Sequence, residues 1–186
     1  YPDEAWKTNV LGTLNVLTAA REVGVATFIN ISTDKAANPT SVLGYSKRVA
    51  EKLTAAVGSE ERMRYLSVRF GNVIGSRGSM LPTFTRLIEE GKPVTVTHPD
   101  ATRYFMTIPE ACQLVLQAGG IGSTGEVLIL DMGEPVRILD VAERMIAMSG
   151  KDLEVIYTGL RPGEKLHEEL TGAGENAERP FHSKIS

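Results

Sequence analysis

The sequence has little of several features that mark whole classes of protein. It contains one cysteine and three histidines among its 186 residues. The single thiol, Cys112, excludes an internal disulfide framework and a CxxC metal site, and the scattered histidines form no metal-ligand cluster. No stretch approaches the roughly 18 consecutive apolar residues that a membrane helix needs. We therefore predict no metal and no membrane segment in this chain, and we expect it to be soluble.

Positive charge is also scarce. Twenty lysines and arginines stand against 23 aspartates and glutamates, for a net charge of −3. No run of basic residues occurs of the kind that binds phosphodiester backbones, so nucleic acid is excluded as an expected partner. What the chain does have is 42% hydrophobic and 23% charged residues. That balance indicates a globular protein with a core of its own.

The first 70 residues alternate between helical and strand patterns. Apolar residues recur at helical spacing from Val10 to Ala20 and predict a helix that ends near Gly24. The pattern then predicts a strand at 26–32, a helix at 42–57 and a strand at 64–70. An unbroken apolar run in the first of these strands is typical of a parallel strand covered on both faces. The alternation therefore indicates an α/β fold with a parallel sheet.

The pattern changes after residue 70, where the glycine-rich stretch GNVIGSRGSMLP begins. The predicted elements that follow are a helix at 81–90, a strand at 93–97, a helix at 108–118, a strand at 126–131, a helix at 137–148, a strand at 153–159 and a short helix opening the tail. We therefore expect two parts. Residues 1–75 form the sheet layer, and residues 76–186 form a smaller α/β lobe with a C-terminal tail.

Chemically active side chains follow two predicted strands directly. The stretch ISTDKAANPTSVLGYSKRVAEKL places Thr33, Asp34 and Lys35 after the first strand, while Gly71 and Asn72 follow the next. Open parallel sheets bind ligands beyond the carboxyl ends of their strands. An acid beside an amine at such an edge can act as general acid and general base if burial shifts their pKa values.

The neighbouring residues favour this catalytic interpretation over a turn cap and a solvated lysine. Ser32 closes the strand, and Lys47 lies 12 residues beyond Lys35 on the next helix. A strand ending in Ser-Thr, then a loop, then a helix with this lysine resembles the catalytic half of extended short-chain dehydrogenases/reductases. Five motifs in order resemble the CapD/WbpM-type polysaccharide biosynthesis family of UDP-N-acetylglucosamine 4,6-dehydratases. They are NVLGTLNVLTAA, ISTDKAANPTSVLGYSKRVAE, VRFGNVIGSRGSMLPTF, HPDATRYFMTIPEACQLVLQA and RPGEKLHEEL.

The resemblance implies an NAD- or NADP-dependent lyase of surface-polysaccharide biosynthesis with a UDP-sugar substrate. It implies that Thr33 hydrogen-bonds the 4-oxygen, that Asp34 protonates the departing C6 hydroxyl, and that Lys35 removes the C5 proton. Lys47 would hold the nicotinamide ribose, with Ser32, Phe70 and Gly71 also at the cofactor. The residues implied for substrate binding are Asn72, Gly78, Ser79, Arg103, Arg161 and Glu164.

The sequence departs from the superfamily pattern in two ways. The tyrosine expected four residues before Lys47 is replaced by Leu43, and Tyr45 lies about 200° around the helix from Lys47. The base for the C4 hydroxyl is therefore unassigned. The G-x-G-x-x-G turn of a dinucleotide-binding fold is also missing. We therefore expect the chain to be the C-terminal part of a catalytic domain, without the N-terminal half of its Rossmann-like fold, and inactive alone.

Two other functions stay open. The intact protein could be a UDP-sugar C4 epimerase, which would not need the Asp34–Lys35 pair. The chain could instead be a non-catalytic module for nucleotide-sugar binding or oligomerisation, given Leu43 and the missing glycine motif. The resemblance further implies a homo-oligomer. It places the protein in the cytoplasm, or at the cytoplasmic face of the inner membrane if the parent carries an N-terminal membrane region.

Overall fold

The computed structural model describes residues 1–61, 63–76, 79–176 and 182–186. Residues 2–22 are helical throughout: α1 (Pro2–Ala5), a π-helical segment (Trp6–Leu11) and α2 (Gly12–Glu22) follow without a break. The helix ends as predicted, because Gly24 takes a left-handed backbone with φ +69°.

Most elements of the rest of the chain lie close to their predicted ranges. They are β1 (Thr27–Thr33), a 3-10 turn (Asp34–Ala36), α3 (Val42–Glu61), β2 (Arg64–Phe70), β3 (Asn72–Ile74), α4 (Met80–Glu89), β4 (Val94–Val96), β5 (Thr102–Arg103), β6 (Phe105–Thr107), α5 (Ile108–Ile121), β7 (Val127–Ile129), β8 (Val136–Arg137), α6 (Ile138–Ser149) and β9 (Val155–Tyr157). Four short strands, β3, β5, β6 and β8, were not predicted. The short helix predicted at the start of the tail is wrong for the described residues, because Gly163 has φ +79° and the chain turns there.

The main sheet is parallel, which confirms the predicted α/β class. Its strand order is β1-β2-β7. Along β1 and β2 the register pairs Ile31 with Val68 and Thr33 with Phe70, so both strands end at the same edge. The strand β7 joins β2 on the other side. The three remaining sheets have two strands each.

The chain divides into two compact units. Unit 1 comprises Tyr1–Phe70, Cys112–Asp131 and Glu169–Ser186, and unit 2 comprises Gly71–Ala111 and Met132–Glu168. This partition differs from a single division at residue 75, because β7 returns to pair with β2 and the last residues return to β7. Ser186 and Ile129 exchange two backbone hydrogen bonds of 2.6 and 2.9 Å.

Each unit has its own buried core. In unit 1, Leu17 and Ala20 of α2 pack with Tyr65 of β2. In unit 2, a larger cluster joins α4 and α6 to β4 and contains Phe84, Ile88, Val94, Val96, Ala101, Ile138, Ala142 and Ile146. Among the helices that the structure describes, none is both long enough and apolar enough to cross a bilayer.

Candidate active site

The turn after β1 brings together the predicted acid, base and hydroxyl. Thr33 is the last residue of β1, and its side-chain oxygen accepts a hydrogen bond from the Lys35 amide at 3.4 Å, which caps the 3-10 turn. The Lys35 Nζ donates to Asp34 Oδ1 at 2.9 Å, and the Thr33 hydroxyl donates to the same oxygen at 2.8 Å. The Lys35 ammonium and the Thr33 hydroxyl thus both bind one carboxylate oxygen of Asp34.

The other oxygen of that carboxylate has a different environment. Asp34 is fully buried, and its Oδ2 has no hydrogen-bond partner in the described part of the chain. A buried polar atom without a partner costs free energy, so such atoms in native proteins usually have a role. Among the described residues, Oδ2 therefore has unused hydrogen-bonding capacity, while Oδ1 is held by Lys35 and Thr33.

Lys47 projects from α3 toward the end of β1. Its Nζ donates to the Ile31 carbonyl at 3.0 Å. Burial lowers the pKa of Lys47, and the negative charge of Glu51 partly offsets that effect. An ammonium group has three protons, and one is used in this bond, so the donor set fits the acceptor oxygens of a ribose. One turn earlier, Leu43 is 45% exposed and offers no hydroxyl.

The other residues predicted at the cofactor lie at the same strand ends. Phe70 closes β2 opposite Thr33, and Gly71 is the next residue. Ser32 is buried and its hydroxyl donates to Glu51 Oε1 at 2.5 Å. The Ser32 proton is therefore already used within the protein, and only its oxygen lone pairs are left for a ligand.

A buried ion-pair network supports these strand ends. Arg69 of β2 is fully buried and binds Glu51 of α3 through two bonds, of 3.1 and 2.8 Å. It also donates to Glu175 Oε2 at 2.7 Å. Arg48 contacts both carboxylates. The two acids neutralise a guanidinium that would otherwise be very costly to bury.

The network changes the protonation of Glu175. Burial would raise the pKa of this carboxyl group. Hydrogen bonds from Arg69, the Gly172 amide and Arg48, together with the charge of Arg69, outweigh burial and lower that pKa to about 2. Glu175 therefore stays ionised far below its ordinary range.

Sequence reasoning missed this network, although one signal for it was present. Arg69 lies inside a strand of the predicted parallel sheet. A buried arginine almost always has an acidic partner, so its position alone implied one. Nothing in the sequence identified Glu51 and Glu175 as the partners.

In unit 2, two predicted substrate residues share a cavity. Asn72 and Ser79 line a space of about 300 Å³ together with Ile74, Met80 and Phe105. The Ser79 hydroxyl is buried and has no hydrogen-bond partner among the described residues. Gly78, which was also predicted to bind substrate, lies outside the described residues.

The remaining predicted substrate residues meet around one carboxylate. Arg103 is buried, and its Nη2 donates to Glu164 Oε1 at 2.8 Å. Thr97 donates to the same oxygen at 3.2 Å, and the Arg161 amide donates to Oε2 at 3.3 Å. Both oxygens of Glu164 thus already accept hydrogen bonds from protein groups.

A sequence model of a family described as polysaccharide biosynthesis protein matches residues 1–186. The capsular polysaccharide biosynthesis protein CapD of Staphylococcus aureus is 51% identical over 99% of this chain. A UDP-glucose 4-epimerase of Rickettsia rickettsii is 39% identical over 95%. The chain spans 31% of the length of CapD and 52% of that epimerase.

Among solved structures, Pen from Bacillus thuringiensis superposes with a TM-score of 0.87 and 37% identity. The superposition covers 92% of this chain and 55% of Pen.

Proposed function

The chain belongs to the polysaccharide biosynthesis protein family, an extended short-chain dehydrogenase/reductase family, and from that premise we propose that the protein containing it is a UDP-N-acetylglucosamine 4,6-dehydratase. The observation that carries the proposal is the Asp34–Lys35 pair. It holds a base and an acid 2.9 Å apart at a strand end, with the acid fully buried and one of its oxygens without a partner among the described residues.

Dehydration across C5 and C6 of a 4-keto sugar needs such a pair. The C5 proton leaves to the Lys35 amine, and the electrons of that bond form the C5–C6 double bond. The C6–O bond breaks, and the departing hydroxyl takes a proton from Asp34 and leaves as water. This step needs Asp34 protonated and Lys35 neutral. That state has the same number of protons as the ion pair, with the proton of the hydrogen bond moved from Lys35 Nζ to Asp34. An epimerase has no use for this step.

The chemistry at C4 belongs to a nicotinamide cofactor. NAD or NADP, when bound, supplies the hydride acceptor for C4 and the hydride donor for C6. In this proposal Lys47 holds the ribose with the ammonium protons that Ile31 does not use, and Phe70 and Gly71 line the cofactor side. Ser32 contributes as an acceptor, because its proton is bound to Glu51. Thr33 holds the 4-oxygen, and Leu43 leaves no tyrosine to act as the base there.

Unit 2 supplies the groups proposed to bind the UDP part of the substrate. Asn72 and the Ser79 hydroxyl, which has no partner within residues 1–61, 63–76, 79–176 and 182–186, offer hydrogen bonds to diphosphate oxygens. Arg161 offers a planar guanidinium suited to phosphate. Arg103 fixes the orientation of Glu164, whose oxygens can then accept from ribose hydroxyls.

The test uses the complete protein. We expect UDP-N-acetylglucosamine in deuterated water to lose its C6 hydroxyl and gain deuterium at C5, followed by NMR. Lys35→Ala and Asp34→Asn should abolish both changes. Lys184→Ala is a matched control, because Lys184 and Asp131 also form a lysine–aspartate ion pair, at 3.0 Å, but one that is exposed. That variant should behave like the wild type.

A second candidate, UDP-sugar C4 epimerisation, is favoured by the 39% identity to the Rickettsia enzyme. In the same experiment it would give a C4 epimer that keeps its C6 hydroxyl and has no deuterium at C5. Binding of the UDP-sugar without any change in it would instead favour the non-catalytic module.

A further inference from the structure

A segment far along the chain contacts the turn that carries Asp34 and Lys35. We call Glu169–Glu175 the return segment, because it belongs to unit 1 although 98 residues separate its start from Phe70, which ends the first stretch of that unit. The contact is made by Asn38, which follows the 3-10 turn. Asn38 Nδ2 donates to Glu169 Oε2 at 2.8 Å, and the Ala173 amide donates to Asn38 Oδ1 at 2.8 Å.

The backbone of Asn38 is held in an uncommon conformation. Its φ is +42°, the only positive φ outside glycine among the described residues. Asparagine tolerates this region better than most residues do, but the following Pro39 restricts the residue before it further. Both polar atoms of the Asn38 side chain are bonded to the return segment. Those two bonds therefore help to hold the conformation.

Arg69 anchors the return segment near both of its ends. Arg69 donates to the Leu170 carbonyl at 3.0 Å and to Glu175 at 2.7 Å. The amide of Gly172 donates to Glu175 Oε2 at 2.6 Å. Arg69 is buried and fixed by Glu51, so the segment is a rigid support for Asn38.

The backbone between Asn38 and the Asp34–Lys35 pair is tightly packed. Ala36 and Ala37 are fully buried, and the Ala37 amide donates to the Asp34 carbonyl at 3.0 Å. A shift at residue 38 therefore passes directly to Asp34 and Lys35, because the residues between them have no space to absorb it.

We propose that Asn38 is a positioning residue that fixes the Asp34–Lys35 turn by tying it to the return segment. This inference rests on the proposed dehydratase function. It predicts a selective defect: proton removal from C5, which depends on Lys35, slows when the tie is broken, whereas hydride removal from C4 does not.

The variants distinguish the effect of losing the two Asn38 hydrogen bonds from the effect of changing the residue that holds the positive φ. Asn38→Gly removes both hydrogen bonds but adopts a positive φ without strain. Asn38→Asp keeps the acceptor for the Ala173 amide and sets a carboxylate against that of Glu169. Combining Asn38→Asp with Glu169→Gln reverses the donor and acceptor, so the introduced amide can donate to the introduced carboxylate. Glu169→Gln alone keeps an acceptor oxygen and is the control.

Two readouts are taken on the complete protein with UDP-N-acetylglucosamine in single turnover. Nicotinamide absorbance follows oxidation at C4, and NMR follows deuterium entry at C5. We expect Asn38→Gly and Asn38→Asp to slow deuterium entry roughly 10- to 100-fold with C4 oxidation unchanged, since small misplacements of a reacting group have effects of that size. The double variant should recover most of the rate. Without substrate, amide hydrogen exchange at residues 34–37 should rise in Asn38→Gly and stay unchanged in β2.

Other outcomes overturn the inference. Deuterium entry at the wild-type rate in Asn38→Gly would do so, as would an equal fall in both steps or a double variant no better than Asn38→Asp. Failure of the proposed function is distinct, because the wild-type protein would then show no deuterium entry at C5, and the role of Asn38 in it would fall too. Unchanged amide exchange at residues 34–37 in Asn38→Gly would show that the two Asn38 hydrogen bonds do not hold the turn, and would overturn the inference.

Discussion

Two buried carboxylates at the strand ends of unit 1 are held in different ways. The described side-chain hydrogen bonds of Asp34 all go to Oδ1, and Oδ2 has no partner in the part of the chain that the structure describes. Glu51 is saturated, because both its oxygens accept from Arg69 and further donors. A saturated acid stabilises structure, whereas a partly satisfied one can still exchange a proton or bind a ligand. This contrast is the reason for assigning chemistry to Asp34 and support to Glu51.

Glu175 should make the folding stability depend on pH. Its pKa in the folded protein is about 2, against an ordinary 4.5. Because the folded value is the lower one, the contribution is complete above pH 4.5 and is lost as pH falls from 4.5 toward 2. We expect Glu175→Gln to lower the free energy of unfolding at neutral pH by about 3 kcal/mol or less. Its stability should also fall less steeply across that acid range, as measured by urea denaturation.

The control for Glu175 is an exposed acid. Glu90 also has a lowered pKa, caused first by its hydrogen bond to Lys92, but it is at the surface. Exposed ion pairs contribute little to stability, so Glu90→Gln should leave the curve nearly unchanged. Equal effects of the two substitutions would contradict the structural role of the buried network.

At the scale of elements, the start of α3 approaches the Asp34–Lys35 turn closely enough to require glycine. A Cβ atom built on Gly44 would lie 2.2 Å from the Lys35 carbonyl oxygen and 3.1 Å from Pro39 Cβ. The obstructing atom is backbone, so it cannot simply rotate away. Helix α3 and the Asp34–Lys35 turn are therefore packed backbone to backbone, and the glycine makes that contact possible.

Replacing Gly44 should disturb both stability and activity. We expect Gly44→Ala to destabilise the protein by about 1–3 kcal/mol, because the clash outweighs the better helix propensity of alanine. The proposed C5 deprotonation should slow in the same variant. Thermal or urea denaturation measures the first effect, and deuterium entry at C5 measures the second.

Gly120 on α5 offers the matched comparison. It is exposed, and a Cβ there would meet nothing within 4 Å. Gly120→Ala should therefore be neutral or stabilise by up to about 1 kcal/mol. If Gly44→Ala were equally harmless, the close contact between α3 and the turn would be wrong.

Elements with a strong periodic pattern were predictable from the sequence. Both long strands and α3 lie near their predicted ranges, and Thr33, Asp34 and Lys35 lie at a strand end as expected. The short strands β3, β5, β6 and β8 were not predictable, because their pairing comes from the fold and not from a local pattern. The partners of Arg69 had the same origin: Glu51 is 18 residues away and Glu175 is 106. No local rule identifies contacts at such separations.

At the scale of the whole molecule, unit 1 is assembled from three separate stretches of chain. Its sheet depends on β7 and on the last residues, which extend it antiparallel through the bridge between Leu130 and Ile185. A sequence divided once, near residue 75, cannot represent such a unit. As a consequence, residues near position 185 stabilise a sheet whose strands β1 and β2 lie within the first 70 residues.

Ile185 tests this arrangement. Its side chain is 2% exposed, and the backbone on either side pairs with β7 and the residues after it. Ile185→Ala should lower the free energy of unfolding by about 2–4 kcal/mol, as burial of an isoleucine in a core implies. Ile156 of β9 is 44% exposed, so Ile156→Ala should change stability by about 0.5 kcal/mol or less. Amide exchange should rise in β7 and β2 for Ile185→Ala. Equal stabilities of the two variants would mean that the last residues do not support the sheet.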